Sequence, residues 1–179
     1  MKANLVLVVS LVVALSLMTF AAEAVNGMSV PTDIPVTAGV PVVIPVNVVD
    51  PSATMRSYRV TLVWDSTQLE FHAAHKNVDC VLGDITPGWA APTINADPLY
   101  PGRLIIVGAN GTAGSGSGCL LRITFTPLPG VTGGSFDLYD VTKLPPGPPT
   151  PGPSCAINGI ASPGITVIDG SFVAATNTR

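Results

Sequence analysis

The sequence predicts an all-β protein, a sandwich or barrel of nine short antiparallel strands, and three observations carry that expectation. Glycine and proline each number 18 of 179 residues and fall between short runs rich in Val, Ile, Thr and Phe, the punctuation expected of many short strands. Beyond the N-terminal apolar run, no stretch sustains the period of a helix for more than a turn or so. Where a period is clear it is that of a strand: Tyr58, Val60, Leu62 and Trp64 alternate with Ser57, Arg59 and Thr61, and Cys119, Leu121, Ile123 and Phe125 alternate with Arg122 and Thr124. One apolar face and one polar face mean a sheet covered on one side, which favours antiparallel pairing.

In chain order the expected strands are Ser29–Ile34, Pro41–Val49, Ser57–Trp64, Leu69–Ala74, Trp89–Asn95, Arg103–Ala109, Gly118–Pro127, Ser135–Val141 and Gly164–Ala174. Two connecting segments are biased. Asn110–Gly118, "NGTAGSGSG", is a Gly/Ser loop whose Asn-Gly-Thr is an N-glycosylation acceptor where the source has that machinery. Leu144–Pro153, "LPPGPPTPGP", is extended and stiff, because each proline fixes its own φ and restrains the residue before it. It reads either as a docking peptide for an aromatic groove or as a rigid surface loop before the last strand.

Lys2, the apolar run Leu5–Leu17 and the small-residue pattern Ala22-Glu23-Ala24 read as a secretory signal peptide over residues 1–24, with an uncleaved anchor as the alternative. Residues 25–179, 155 in number (179 − 24), then make one domain, secreted or associated with a cell surface. The net charge is −3, and the basic residues are scattered; a nucleic acid partner, which needs clustered Lys and Arg, is not expected. Cys80, Cys119 and Cys155 allow one disulfide with one thiol left over, in any of three pairings. No CxxC occurs, and His72 and His75 are three apart, a poor chelate in a strand, so no metal or cofactor is expected.

Catalysis finds little support. In "LVWDSTQLEF", Leu62–Phe71, the carboxylates Asp65 and Glu70 could be a glycosidase pair. An Asp ahead of Ser-Thr-Gln, however, more commonly closes a turn by accepting backbone N–H bonds. There is no GxSxG elbow, and the Gly-rich loop lacks the Lys-Ser/Thr and helix of a nucleotide site. The chain is expected not to be an enzyme.

The chain resembles the cohesin domains of cellulosome scaffoldins and related secreted proteins. The resemblance runs through "PVTAGVPVVIPVNV" (Pro35–Val48), "SYRVTLVWDSTQLEF" (Ser57–Phe71), "GDI" (Gly83–Ile85), "GRLIIVGAN" (Gly102–Asn110), "GCLLRITFTPLPG" (Gly118–Gly130) and "ITVIDGSFV" (Ile165–Val173). Most specific is the third strand's end, an aromatic and Asp, a turn, then Leu-Glu: here Trp64-Asp65 and Leu69-Glu70. The resemblance implies a nine-stranded jelly-roll sandwich that docks a dockerin module on the sheet formed by its eighth, third, sixth and fifth strands. It puts Ser57, Arg59, Thr61, Arg103 and Ile105 on that face, and sets its fourth and seventh strands side by side, which implies a Cys80–Cys119 disulfide. The family's Asn and Asp are replaced by Ser57 and Arg59. A guanidinium in place of a carboxylate reverses the charge a partner meets, so a changed specificity or function is expected. Calcium would come with the dockerin's EF-hand loops, since this chain has no such ligand pattern.

Two other functions compete. A carbohydrate-binding module, related in fold, would stack sugars on exposed aromatics, for which Trp89 and Tyr100 are the candidates and a polysaccharide the partner. A self-assembling surface protein would lend an edge strand, with Met28–Val36 as donor.

Overall fold

A computed structural model of the chain describes residues 26–49, 54–96, 100–114, 116–140, 154–161 and 164–175. The segment read as a signal peptide and the proline-rich segment 144–153 lie outside them. Four expected strands stand almost where the sequence put them: β3 (Val42–Val49), β4 (Ser57–Trp64), β8 (Arg103–Ala109) and β9 (Gly118–Pro127), and β10 (Gly133–Leu138) overlaps a fifth. The rest are cut shorter or divided. β1 (Gly27–Ser29) and β2 (Ile34–Val36) flank a bend that contains Asp33 at φ +56°. β5 (Leu69–Glu70) ends in a short 3-10 turn and the one-turn helix Lys76–Asp79, followed by β6 (Cys80–Leu82). β7 (Thr93–Ala96) starts four residues later than expected, and β11 (Ala156–Ile157) and β12 (Ile160–Ala161) form a small hairpin. The last expected strand breaks at Asp169 into β13 (Thr166–Ile168) and β14 (Gly170–Ala174), and the Asp169 carboxylate accepts the Leu138 N–H at 2.9 Å.

These strands make two mixed sheets. One runs β13-β1-β3-β9, with β5 and β6 both on β9; the other runs β7-β8-β4-β10-β14-β2, with the β11–β12 hairpin against β4. Pairing is antiparallel except for β1 with β13 and β2 with β14. These exceptions have one origin: the N- and C-terminal segments cross from one sheet to the other together, and strands so far apart in sequence are free of the hairpin geometry that enforces antiparallel pairing. β1 lies between β3 and β13, and Met28 is buried. The expected donor strand Met28–Val36 is therefore already paired within its own chain at its β1 end.

The core lies between the sheets. Ile44, Val46 and Val48 of β3 and Leu121, Ile123 and Phe125 of β9 face Val60, Leu62 and Trp64 of β4, Leu104 and Ile106 of β8, and Phe136 of β10. An aromatic chain crosses it, with ring centroids 5.0 Å apart for Trp64–Phe125, 5.5 Å for Phe125–Phe136 and 5.2 Å for Phe136–Phe172. The inward set expected on β9 fails at one end. Val46 faces Leu121 but Asn47 faces Cys119, so Leu120 is an extra, bulged residue; it is buried and Cys119 is only half-buried.

The Cys80–Cys119 disulfide is not formed, and all three thiols are free. β6 does lie beside β9, but in a register that sets Cys80 opposite Ile123. Four residues of strand separate that position from Cys119, about 13 Å, whereas a disulfide needs Cα atoms within about 7 Å. Burial pushes the thiols up from 9.0, to about 12 for Cys80 and about 11 for Cys155. A group that keeps its proton when folded stabilises the fold fully below its unfolded pKa and loses that contribution as pH rises toward its folded one. Stability should therefore fall progressively from pH 9.0 to about 12. Chemical denaturation across that range checks this, and Cys80→Ala should flatten the slope.

Candidate partner-binding face

β10, β4, β8 and β7 lie side by side, the order the resemblance implies. Their outward residues form rows fixed by register. Val63 of β4 sits between Arg103 of β8 and Asp137 of β10; Thr61 sits beside Ile105, which faces Asn95 of β7; Arg59 sits between Val107 and Ala156, with Thr93 beyond Val107. Ser57 pairs with Ala109 at the strand's start. The centre of the face is apolar, formed by Val63, Ile105 and Val107, and Arg59, Arg103 and Asp137 surround it. Val107, at 42 % exposure, is the most open of the apolar three. The alternation of Arg103 and Ile105 along β8 already pointed to it.

Ser57, Arg59, Arg103 and Ile105 are half-buried and face outward. Thr61 does not reach solvent; its exposure is 0 %. The cause is a strand in two pieces. β10 pairs with Trp64–Leu62 and β11 with Arg59 and Tyr58, both antiparallel, so β4 sees one partner strand interrupted at Thr61. The gap is closed by Tyr139 and Cys155. The Tyr139 N–H donates to the Thr61 carbonyl at 2.9 Å and the Cys155 N–H to the Tyr139 carbonyl at 3.0 Å. Thr61 N–H donates to the Cys155 sulfur at 3.4 Å, and the thiol points back to the Thr61 carbonyl at 3.6 Å. Arg59 is held as well, its Nε donating to the Ser154 carbonyl at 2.7 Å.

The hairpin after this seam is a feature the strand assignment missed. Asn158 and Gly159 take φ +51° and +79°, as a tight hairpin turn of the Asn-Gly type requires. The Asn158 side chain accepts the Arg56 N–H at 2.6 Å and donates to the Thr54 carbonyl at 3.2 Å, clamping the chain that leads into β4. Ile160 beside it is 52 % exposed. The Asn-Gly pair between apolar residues was the available signal.

The two sugar-stacking candidates separate. Trp89 is buried, at 7 % exposure, its ring stacked on Tyr58 at 6.0 Å between centroids and 18° between planes. It is a core residue and offers no platform. Tyr100 is half-buried with the Arg103 guanidinium 4.2 Å over its ring. Asp65 closes the turn after β4: its carboxylate accepts the Thr67 N–H at 2.8 Å and the Thr67 hydroxyl at 2.6 Å. Those bonds, the hydroxyl's first, hold its pKa below 3.8. A lowered pKa contributes stability above the unfolded value and loses it as pH falls through the folded one. Asp65→Ala should lower the thermal midpoint by a few degrees at neutral pH, with the difference from the parent vanishing in strong acid. Glu70 lies near His72 Nδ1, at 3.6 Å.

The sandwich presents a four-stranded face with an apolar centre and charged surroundings. Solved structures that this fold resembles include cohesin modules. A Clostridium acetobutylicum cohesin aligns with TM-score 0.61 at 14 % identity, over 87 % of this chain and 94 % of its own. A non-cellulosomal cohesin from the archaeon Archaeoglobus fulgidus aligns with TM-score 0.57 at 14 % identity, over 87 % and 94 %. The type III cohesin of a Ruminococcus flavefaciens cell-surface anchoring scaffoldin gives 0.58 at 10 % identity, over 89 % and 93 %. The chain has the cohesin fold. No protein-family model and no curated protein matches its sequence.

Proposed function

We propose that this chain is a secreted, non-catalytic cohesin-like module that docks a dockerin-type partner on the β10-β4-β8-β7 face, in extracellular polysaccharide degradation or surface assembly. The observation that carries the reading is the face itself, in which β4 presents Ser57 and Arg59 beside Ile105 and Val107. Support comes from the cohesin fold of neighbours that cover most of both chains, one of them solved in a cohesin–dockerin complex. Among the described residues no helix is long and apolar enough to cross a membrane, and the N-terminal pattern supports export with cleavage near Val25.

Arg59 sets the specificity. Its guanidinium, fixed by Ser154, asks for an acceptor or a carboxylate on the partner, where the family's Asp asks for a donor. The test is a calcium-dependent binding screen of residues 25–179 against dockerins encoded by the same organism, repeated with Arg59→Asp. A change of about tenfold or more in affinity or partner preference is expected. Unaltered affinity for every dockerin that binds, in a variant with the parent's melting midpoint, would sink the face.

A further inference from the structure

We infer a second binding site that adjoins the docking face and shares Arg103 with it: the cleft at the β4–β5 end of the sandwich holds one neutral sugar ring of an oligosaccharide. The cleft has a volume of about 270 Å³ and is lined by Trp64, Leu69, Glu70, Phe71, Tyr100 and Arg103 among others. Drug-sized ligands occupy about 300–1,000 Å³, so this space suits a single ring.

The cleft is preformed. The loop into β8 crosses the end of β4 at Gly102, whose carbonyl accepts the Trp64 N–H at 2.9 Å. Gly102 lies at φ +89°, and a Cβ there would stand 2.4 Å from the Trp64 carbonyl oxygen, so only glycine permits the approach. The opposite wall is fixed by the Trp64 indole N–H, which donates to the Leu69 carbonyl at 2.9 Å. Phe71 packs edge-on to Trp64 with centroids 6.4 Å apart. A ligand entering this space meets fixed aromatic walls and orders little of the protein, which favours binding.

The charges identify the ligand. The Glu70 side chain is 51 % exposed at the rim, and Arg103 is held over the Tyr100 ring at 4.2 Å. An anion would meet the Glu70 carboxylate and a cation would meet the Arg103 guanidinium, each a like charge. A neutral ring with adjacent hydroxyls suits both, since one hydroxyl donates to the carboxylate, another accepts from the guanidinium, and the C–H face covers the aromatic wall. A plain apolar ligand would partly desolvate both charges and offer neither a hydrogen bond in return.

The test is an NMR titration of residues 25–179 with xylohexaose, cellohexaose and mannohexaose, each to about 10 mM, where affinities in the millimolar range are read. At least one should shift the Trp64 indole N–H and the amides of Glu70, Phe71 and Arg103 saturably. Glu70→Gln and Tyr100→Ala should each weaken that binding about tenfold or more, one hydrogen-bonded or stacked contact being worth that much. Dockerin binding should be the same in Glu70→Gln, which separates this site from the docking face. No saturable shift at these residues with any of the three sugars overturns the proposal. So does equal binding by both variants, or tighter saturation of the cleft by free glutamate or lysine amide than by any sugar.

Discussion

Trp89→Ala is expected to lower the unfolding free energy by about 3–5 kcal/mol and to melt the protein well before it alters any ligand. The ring lies flat on Tyr58, at 18° between planes, and is 7 % exposed. It covers the outer end of the inter-sheet core where β7 has not yet begun, since Trp89 precedes Thr93 in a turn closed by its own N–H to the Thr86 carbonyl at 3.2 Å. Removing it exposes one face of Tyr58 and leaves a void that neighbouring strands cannot collapse into. Urea denaturation measures the loss. A variant as stable as the parent but unable to bind polysaccharide would return Trp89 to the surface and contradict the packing.

Gly108→Ala is the second large effect, at about 3 kcal/mol, the upper part of the usual range for overpacking a core. Gly108 is the last but one residue of β8, opposite Tyr58. An added Cβ would stand 2.5 Å from the Tyr58 Cε1 and Cζ and 2.6 Å from its hydroxyl oxygen. These atoms belong to a buried ring stacked on Trp89, so it has little room to turn aside. The substitution therefore tests whether Gly108 and the Tyr58 ring are coupled. In a Tyr58→Leu background most of the penalty should disappear, and additive losses in the double variant would show Tyr58 and Gly108 to be independent.

The strands legible in the sequence are those whose pattern was set by their own two faces. Ser57–Trp64 and Arg103–Ala109 alternate because one side is core and the other is not, and that local rule survives in the structure. What was hidden depends on partners remote in sequence. Thr61 alternates as an outward residue, yet it is buried by Tyr139 and Cys155, which come from the far end of the chain. Cys80 and Cys119 do sit on adjacent strands, but register, which side-chain pattern does not specify between a short edge strand and a bulged one, holds them apart. Trp89 lies among prolines and small residues and looks like a loop aromatic; only the position of Tyr58 makes it core. The binding-site residues fared similarly: the outward set on β4 and β8 could be named, whereas the cleft could not, because Trp64, Glu70 and Tyr100 meet only where two loops cross.

The interrupted strand beside β4 bears on how such a face could diversify. Tyr139 and Cys155, remote from each other in sequence, are joined by a hydrogen bond of 3.0 Å, so the two positions meet at one point of the sheet. Doubling the length of a segment closed in that way costs only about 0.6 kcal/mol of chain entropy. The seam is thus a port: different peptides could be spliced in between the same two residues, at the edge of the docking surface, while the core that holds the surface together stays as it is. One scaffold could in this way be given many partners by exchange of a single cassette.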